Sequence, residues 1–149
     1  MATTTIPRDF REFLKLLEDE QVEYLLIGGY AVGYYGYPRA AADIDIWIAV
    51  NPANAEKTVK ALKRFGMATP DLTVDLFLDK GKIIRMGVPP LRLEIQTEIS
   101  GVDFDSCYTR RHRVKIGNLE VNLIDLKDLK INKRASGRHK DLEDLEHLL

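Results

Sequence analysis

The sequence predicts an α/β (α+β) fold, a mixed β-sheet flanked by helices. Short apolar runs bounded by glycine or proline alternate with segments of helical apolar spacing, and no linker or repeat separates them. At 149 residues, 45% of them apolar, the chain has the length and composition of one domain with a core of its own. We read residues 1–149 as a single unit, with a sheet-bearing core over 1–125 and a C-terminal helical segment over 126–149.

The elements follow in order. Residues 7–19 place Phe10, Phe13, Leu14, Leu16 and Leu17 on one helical face, with Pro7 as the expected first helical residue. Tyr24–Ile27 is a buried strand stopped by Gly28-Gly29. A short helix is expected over 30–36, ended by Gly36, and Pro38 then forces a loop. From Asp43 to Val50, residues Ile44, Ile46, Ile48 and Val50 share one strand face, and Asp43, Asp45, Trp47 and Ala49 the other. Asn51-Pro52 opens a helix to about residue 65. A helical turn or a strand spans 70–78, and strands are expected over 82–86 and 91–97. A helix near 103–111 precedes strands near 113–116 and 119–123, joined at Gly117-Asn118. Asp125 caps a helix that ends at Gly137. In a last helix, Leu142, Leu145, Leu148 and Leu149 form a stripe expected to face the core.

Charge and cysteine content narrow the class. With 22 Lys and Arg against 23 Asp and Glu, the chain has a net charge of −1, unlike an indiscriminate nucleic-acid binder. The balance hides segregation, since Arg110, Arg111, Arg113 and Lys115 lie together, and Arg85, Arg92, Arg134 and Arg138 offer further positive charge. Cys107 stands alone, which excludes an internal disulfide and suits a reducing cytoplasm. No apolar run approaches membrane-spanning length, and residues 1–7 lack the pattern of a signal peptide, so a cytoplasmic protein with no membrane partner is expected.

The strongest local anomaly is the Asp-Ile-Asp face of residues 43–45. Side chains two apart on a strand point the same way, with Cα atoms about 6.5 Å apart. Two carboxylates so placed can share a hard cation or hold a pair of them, although a solvated strand edge would carry the same pattern. Three neighbours favour the chemical reading. Gly28-Gly29 lets backbone approach a ligand closely before a helix start. Arg39, behind Pro38, offers a guanidinium to phosphate, or equally to Asp43. Glu94 shares a strand face with Arg92 and Gln96, and can act as a third cation ligand or as a general base.

Strand, Gly28-Gly29, thirteen residues, Asp43-Ile-Asp45 and a later strand acid together resemble the polymerase-β-like nucleotidyltransferase superfamily. The stretch Leu26–Asp45 and the ending Lys130–Asp144 look most like its small bacterial toxin and abortive-infection branch. The resemblance runs from about residue 22 to the C-terminus. It implies a polymerase-β-like core with C-terminal helices, in which Gly28 and Gly29 cradle a triphosphate such as that of ATP. It also implies that Asp43 and Asp45 bind Mg²⁺ or Mn²⁺, that Glu94 is the third acid, and that Lys133 or Lys130 contacts the phosphates.

The function expected on that basis is transfer of a nucleoside monophosphate from an NTP to an acceptor, releasing pyrophosphate. Asp43, Asp45 and Glu94 would be the catalytic and metal-binding residues, and Gly28, Gly29, Arg39, Lys130 and Lys133 the nucleotide-binding ones. The acceptor is open among RNA, a protein and a small molecule, and the setting could be a toxin–antitoxin or abortive-infection system with a cognate partner. The alternative is a non-catalytic nucleotide-binding, antitoxin or partner-binding module on the same fold. Two further features read as packing: Cys107, which has no His or Asn in a partnering pattern, and a tyrosine cluster at Tyr30, Tyr34, Tyr35 and Tyr37 that could equally stack a base.

Overall fold

The computed structural model describes residues 6–38, 43–88 and 90–148. In chain order these form α1 (Arg8–Asp19), β1 (Tyr24–Ile27), α2 (Gly28–Tyr34), β2 (Asp43–Ile48), α3 (Pro52–Arg64), a 3₁₀ turn (Val74–Phe77), β3 (Ile83–Met86) and β4 (Arg92–Gln96). Then come α4 (Phe104–Thr109), β5 (His112–Ile116), β6 (Leu119–Leu123), α5 (Leu126–Ser136) and α6 (His139–His147).

Six strands make one mixed sheet in the order β3-β4-β2-β1-β6-β5. The hairpins β3–β4 and β5–β6 are antiparallel and form its two ends. In the middle, β1 and β2 run antiparallel, whereas β2 with β4 and β1 with β6 run parallel. The central strand β1 is buried on both faces, consistent with its uninterrupted apolar sequence.

One face of β2 and β4, carrying Ile44, Ile46, Ile48, Leu93 and Ile95, is buried almost completely. Helices α1, α2 and α3 pack on one another through aromatic contacts: Phe13 meets Phe65, just past α3, at 5.4 Å, and Phe10 meets Tyr30 edge-on at 6.0 Å. Asn54 ties the start of α3 to the ends of two strands. Its side chain accepts from the Glu23 backbone at 2.7 Å and donates to the Glu23 and Ala49 carbonyls at 3.1 and 2.8 Å. Such a buried amide, with its bonds satisfied, sets the helix register.

The order of elements agrees with the sequence reading; the differences lie at edges and faces. Pro7 caps α1 from outside, with an extended ψ of 147°. Helix α2 begins at the glycines themselves, two residues earlier than expected, and ends at Tyr34. Strand β2 stops at Ile48, and Trp47, on the face opposite Ile48, is buried as well, with Phe104 of α4 packed edge-on against it at 5.1 Å.

Helix α6 departs most. Asp141 and Asp144 point inward, each 1% exposed, whereas Leu142 of the expected core stripe is 46% exposed and Leu145 half-buried; Leu148, just past the helix, joins the core as expected, and Leu149 lies outside the described residues. The aspartates turn inward because Lys133 of α5 waits there, its Nζ 3.2 Å from Asp141 and 3.0 Å from Asp144. Ion pairing therefore overrides apolar periodicity in setting the rotation of this helix. The arginines near residue 110 are also less free than their clustering suggested. Arg110 forms a bidentate pair with buried Asp128, and Arg113 bonds Glu18 and Asn122.

Candidate functional site

Parallel pairing of β2 with β4 brings the acids together. Asp43 lies opposite Arg92 and Asp45 opposite Glu94, all four on the sheet face away from Ile44 and Leu93. On the other side of β2, Ile27 pairs with Asp45, so the β1–α2 junction stands directly beside that carboxylate. Gly28 makes this approach possible. Its φ is +69°, and a Cβ there would lie 2.1 Å from Asp45 Oδ2. Only glycine accommodates both the backbone angle and the contact.

These residues line a cleft of about 600 Å³ that also reaches Gly29, Arg85, Lys133, Arg138 and Lys140. The volume falls in the range of ligand sites in proteins. Its charges are arranged in opposition. Burial, and next the Glu94 carboxylate, push the Asp45 carboxyl up to about 7; Asp43 adds to the rise, and Lys140 and Lys133 oppose it. Burial and then the charges of Asp43 and Asp45 likewise raise the neighbouring Tyr30 hydroxyl. Asp43 is held differently. Arg92 donates two hydrogen bonds to it, at 3.0 and 2.9 Å, in a bidentate fork. Glu94 receives one longer contact, 3.4 Å, from Arg85.

The structure gathers five of the eight expected site residues around one sheet face: Gly28, Gly29, Asp43, Asp45 and Glu94. Lys133 also lines the cleft, although its ammonium is bonded to Asp141 and Asp144. Lys130, one turn away on α5, is outside the residues that line the cleft. Arg39 lies outside the described residues.

Sequence reasoning offered Arg85, Arg92 and Arg138 as further positive charge, and all three line the cleft; it missed Arg92 as the partner of Asp43, and it missed Lys140. Arg92 was legible as sharing a face with Glu94, but its partner depends on which strand lies beside β4. Of the tyrosines, Tyr30 packs in the core, Tyr35 donates to the Ile124 carbonyl at 2.6 Å, and Tyr37 stacks on His147 at 3.9 Å.

The oxygen donors of Asp43, Asp45 and Glu94 suit a hard divalent cation, and the crowding that raises Asp45 is the kind a cation relieves. Their arrangement does not yet match that chemistry. Among the described residues no three His, Cys, Asp or Glu side chains are disposed to hold a metal ion, and Asp43 turns both oxygens to Arg92. Among the described residues, too, no helix is long and apolar enough to cross a membrane.

No protein-family model and no curated protein matches the chain. Solved structures do. A candidate nucleotidyltransferase from Thermotoga maritima superposes with a TM-score of 0.64 at 18% identity, over 93% of this chain and 89% of that one. An antigenic nucleotidyltransferase-like protein from Paracoccidioides brasiliensis superposes with a TM-score of 0.55, also at 18% identity, over 94% of this chain and 74% of that one. The likeness is one of architecture: this chain has a nucleotidyltransferase-like fold.

Proposed function

We propose that the protein is a nucleotidyltransferase that moves a nucleoside monophosphate from an NTP such as ATP to an acceptor and releases pyrophosphate. The observation that carries this reading is Asp45 set against Glu94 across parallel strands, beneath the Gly28 turn and open to a cleft of nucleotide-compatible size. The fold of the solved neighbours supports the same reaction class.

In this reading the Gly28-Gly29 backbone borders the triphosphate, and Lys140 and Arg138 offset its charge at the cleft wall. Lys133 adds positive potential from its buried pair, and Lys130 and Arg39 are proposed as outer phosphate contacts. Glu94 accepts the proton of the attacking acceptor group. Asp43, Asp45 and Glu94 are the proposed ligands of Mg²⁺, or of Mn²⁺ in its place. Such a cation, when bound, supplies charge neutralisation at the reacting phosphate. RNA, a protein or a small molecule is proposed as acceptor, in a cytoplasmic toxin–antitoxin or abortive-infection setting with a cognate partner.

A non-catalytic nucleotide- or partner-binding module is the second reading. One observation favours it, namely that Asp43 is already engaged by Arg92. Incubation with each α-labelled NTP, Mg²⁺ and total cell lysate separates the two. Transfer of label that disappears in the Asp43→Ala, Asp45→Ala double variant supports the enzyme. Label that survives the double variant, or NTP binding by calorimetry without any transfer, refutes it.

A further inference from the structure

Asp43 and Asp45 project from the same face of β2, yet they are treated in opposite ways. Asp45 faces another carboxylate; Asp43 faces a guanidinium that fills both its oxygens. The Arg92 pair is a close two-point bond, with side chains 37% and 16% exposed, so solvent and ligands in the cleft can reach the arginine. Arg85 differs, being more exposed and making a single 3.4 Å contact with Glu94. A guanidinium fork fits a phosphate as well as it fits a carboxylate. The partner Arg92 now holds and the partner a triphosphate would offer are therefore interchangeable in shape and charge.

We propose that Arg92 is a polyphosphate-binding residue that exchanges partners. Without ligand it occupies Asp43 and keeps the carboxylates from acting together on a cation. When a polyphosphate enters the cleft, Arg92 passes to it, and Asp43 joins Asp45 and Glu94 as a free carboxylate. Polyphosphate and divalent cation then bind with positive coupling, because the first removes what blocks the second. This rests on the reading of the cleft as a nucleotide site and adds an order to it: the empty protein takes up a divalent cation poorly. No proton or covalent bond is exchanged, only hydrogen-bond partners.

Two binding measurements on the intact chain test the exchange. One is Mn²⁺ uptake without phosphate, followed by loss of the free-ion electron paramagnetic resonance signal. The other is calorimetric binding of inorganic tripolyphosphate in EDTA. Arg92→Gln is expected to bind Mn²⁺ about tenfold more tightly than the unchanged protein and tripolyphosphate about tenfold more weakly. Arg92→Lys, which keeps the charge and loses the fork, should fall between and serves if the glutamine variant does not fold. Asp43→Asn should strengthen tripolyphosphate binding by releasing Arg92, and that gain should vanish in Asp43→Asn, Arg92→Gln.

Mn²⁺ affinity unchanged by Arg92→Gln, absent from every variant, or already tight in the unchanged protein overturns the exchange. So does a tripolyphosphate gain that survives in the double variant. These arms are independent of catalysis. Failure of label transfer by the unchanged protein defeats the proposed activity and leaves the exchange standing.

Discussion

Two groups of acids, one lining the cleft on β2 and β4 and one on α6 behind Lys133, behave in opposite ways. Asp45 on β2 is pushed up to about 7 by burial and by Glu94. Asp141 on α6 is also penalised by burial, yet hydrogen bonds from Arg138 and Ser136, with the charge of Lys133, hold it down at about 2. Residue type is the same and burial raises both, so partners decide the sign. The α5–α6 cluster is complete in itself and fastens two helices together. At the β2–β4 cluster, burial and like charge outweigh what Lys140 and Lys133 relieve, so Asp45 is left raised.

The largest expected effect comes from breaking the completed cluster. Lys133→Met leaves Asp141 and Asp144 buried without their shared cation, and should destabilise the protein by about 3–5 kcal/mol in urea unfolding. A loss below about 1 kcal/mol would mean that the pairing adds little, and that α6 is placed by other contacts.

The same measurement should change sign at the other cluster. Asp45 has a folded-state pKa above its unfolded value of 3.8, so the unfolded chain loses its proton first as pH rises. Stability then falls between about pH 4 and pH 7 from this group. Asp45→Asn should remove that fall and stabilise the protein by about 1–3 kcal/mol at pH 7.5, with little effect below pH 4. Asp141 has the opposite sign: its contribution is present above 3.8 and is lost as pH falls toward about 2. Asp141→Asn should flatten that acid limb. Unfolding curves across pH check both limbs, and a destabilised Asp45→Asn at neutral pH would contradict the contrast between the two clusters.

Gly28→Ala sharpens the comparison by disturbing only the open cluster. The added Cβ meets Asp45 at a backbone angle alanine disfavours, so a loss of about 1–3 kcal/mol is expected, together with loss of NTP binding by calorimetry. The smallest effect is expected at Leu142. Despite its place in an apolar stripe it is exposed, and Leu142→Ser should change stability by less than about 0.5 kcal/mol. A core-sized loss there would mean that this face of α6 is covered in solution.

Much of the fold was legible because its signals are local. Alternation in Asp43–Ile48, the Asn51-Pro52 start, the Asp125 cap and the left-handed Gly137 each act within a few residues. The candidate site was legible to the same extent. Asp43, Asp45 and Glu94 stand out as acids among apolar strand residues, and two-residue periodicity alone assigns them a face. Arg92 shared a face with Glu94 by the same rule, but nothing local says that β4 lies beside β2, or in a register that puts Arg92 opposite Asp43.

The sequence by itself determined which residues are strand acids, where glycine interrupts, and which segments are helical, since these follow from steric limits and periodicity over short range. Tertiary structure alone decided which charges meet. It set Arg92 on Asp43 and left Asp45 facing Glu94, and it turned α6 so that aspartates, not leucines, point inward to Lys133. The physical reason is one of range. Backbone preference acts along the chain, whereas the energy of a buried charge depends on whatever distant segment supplies its partner.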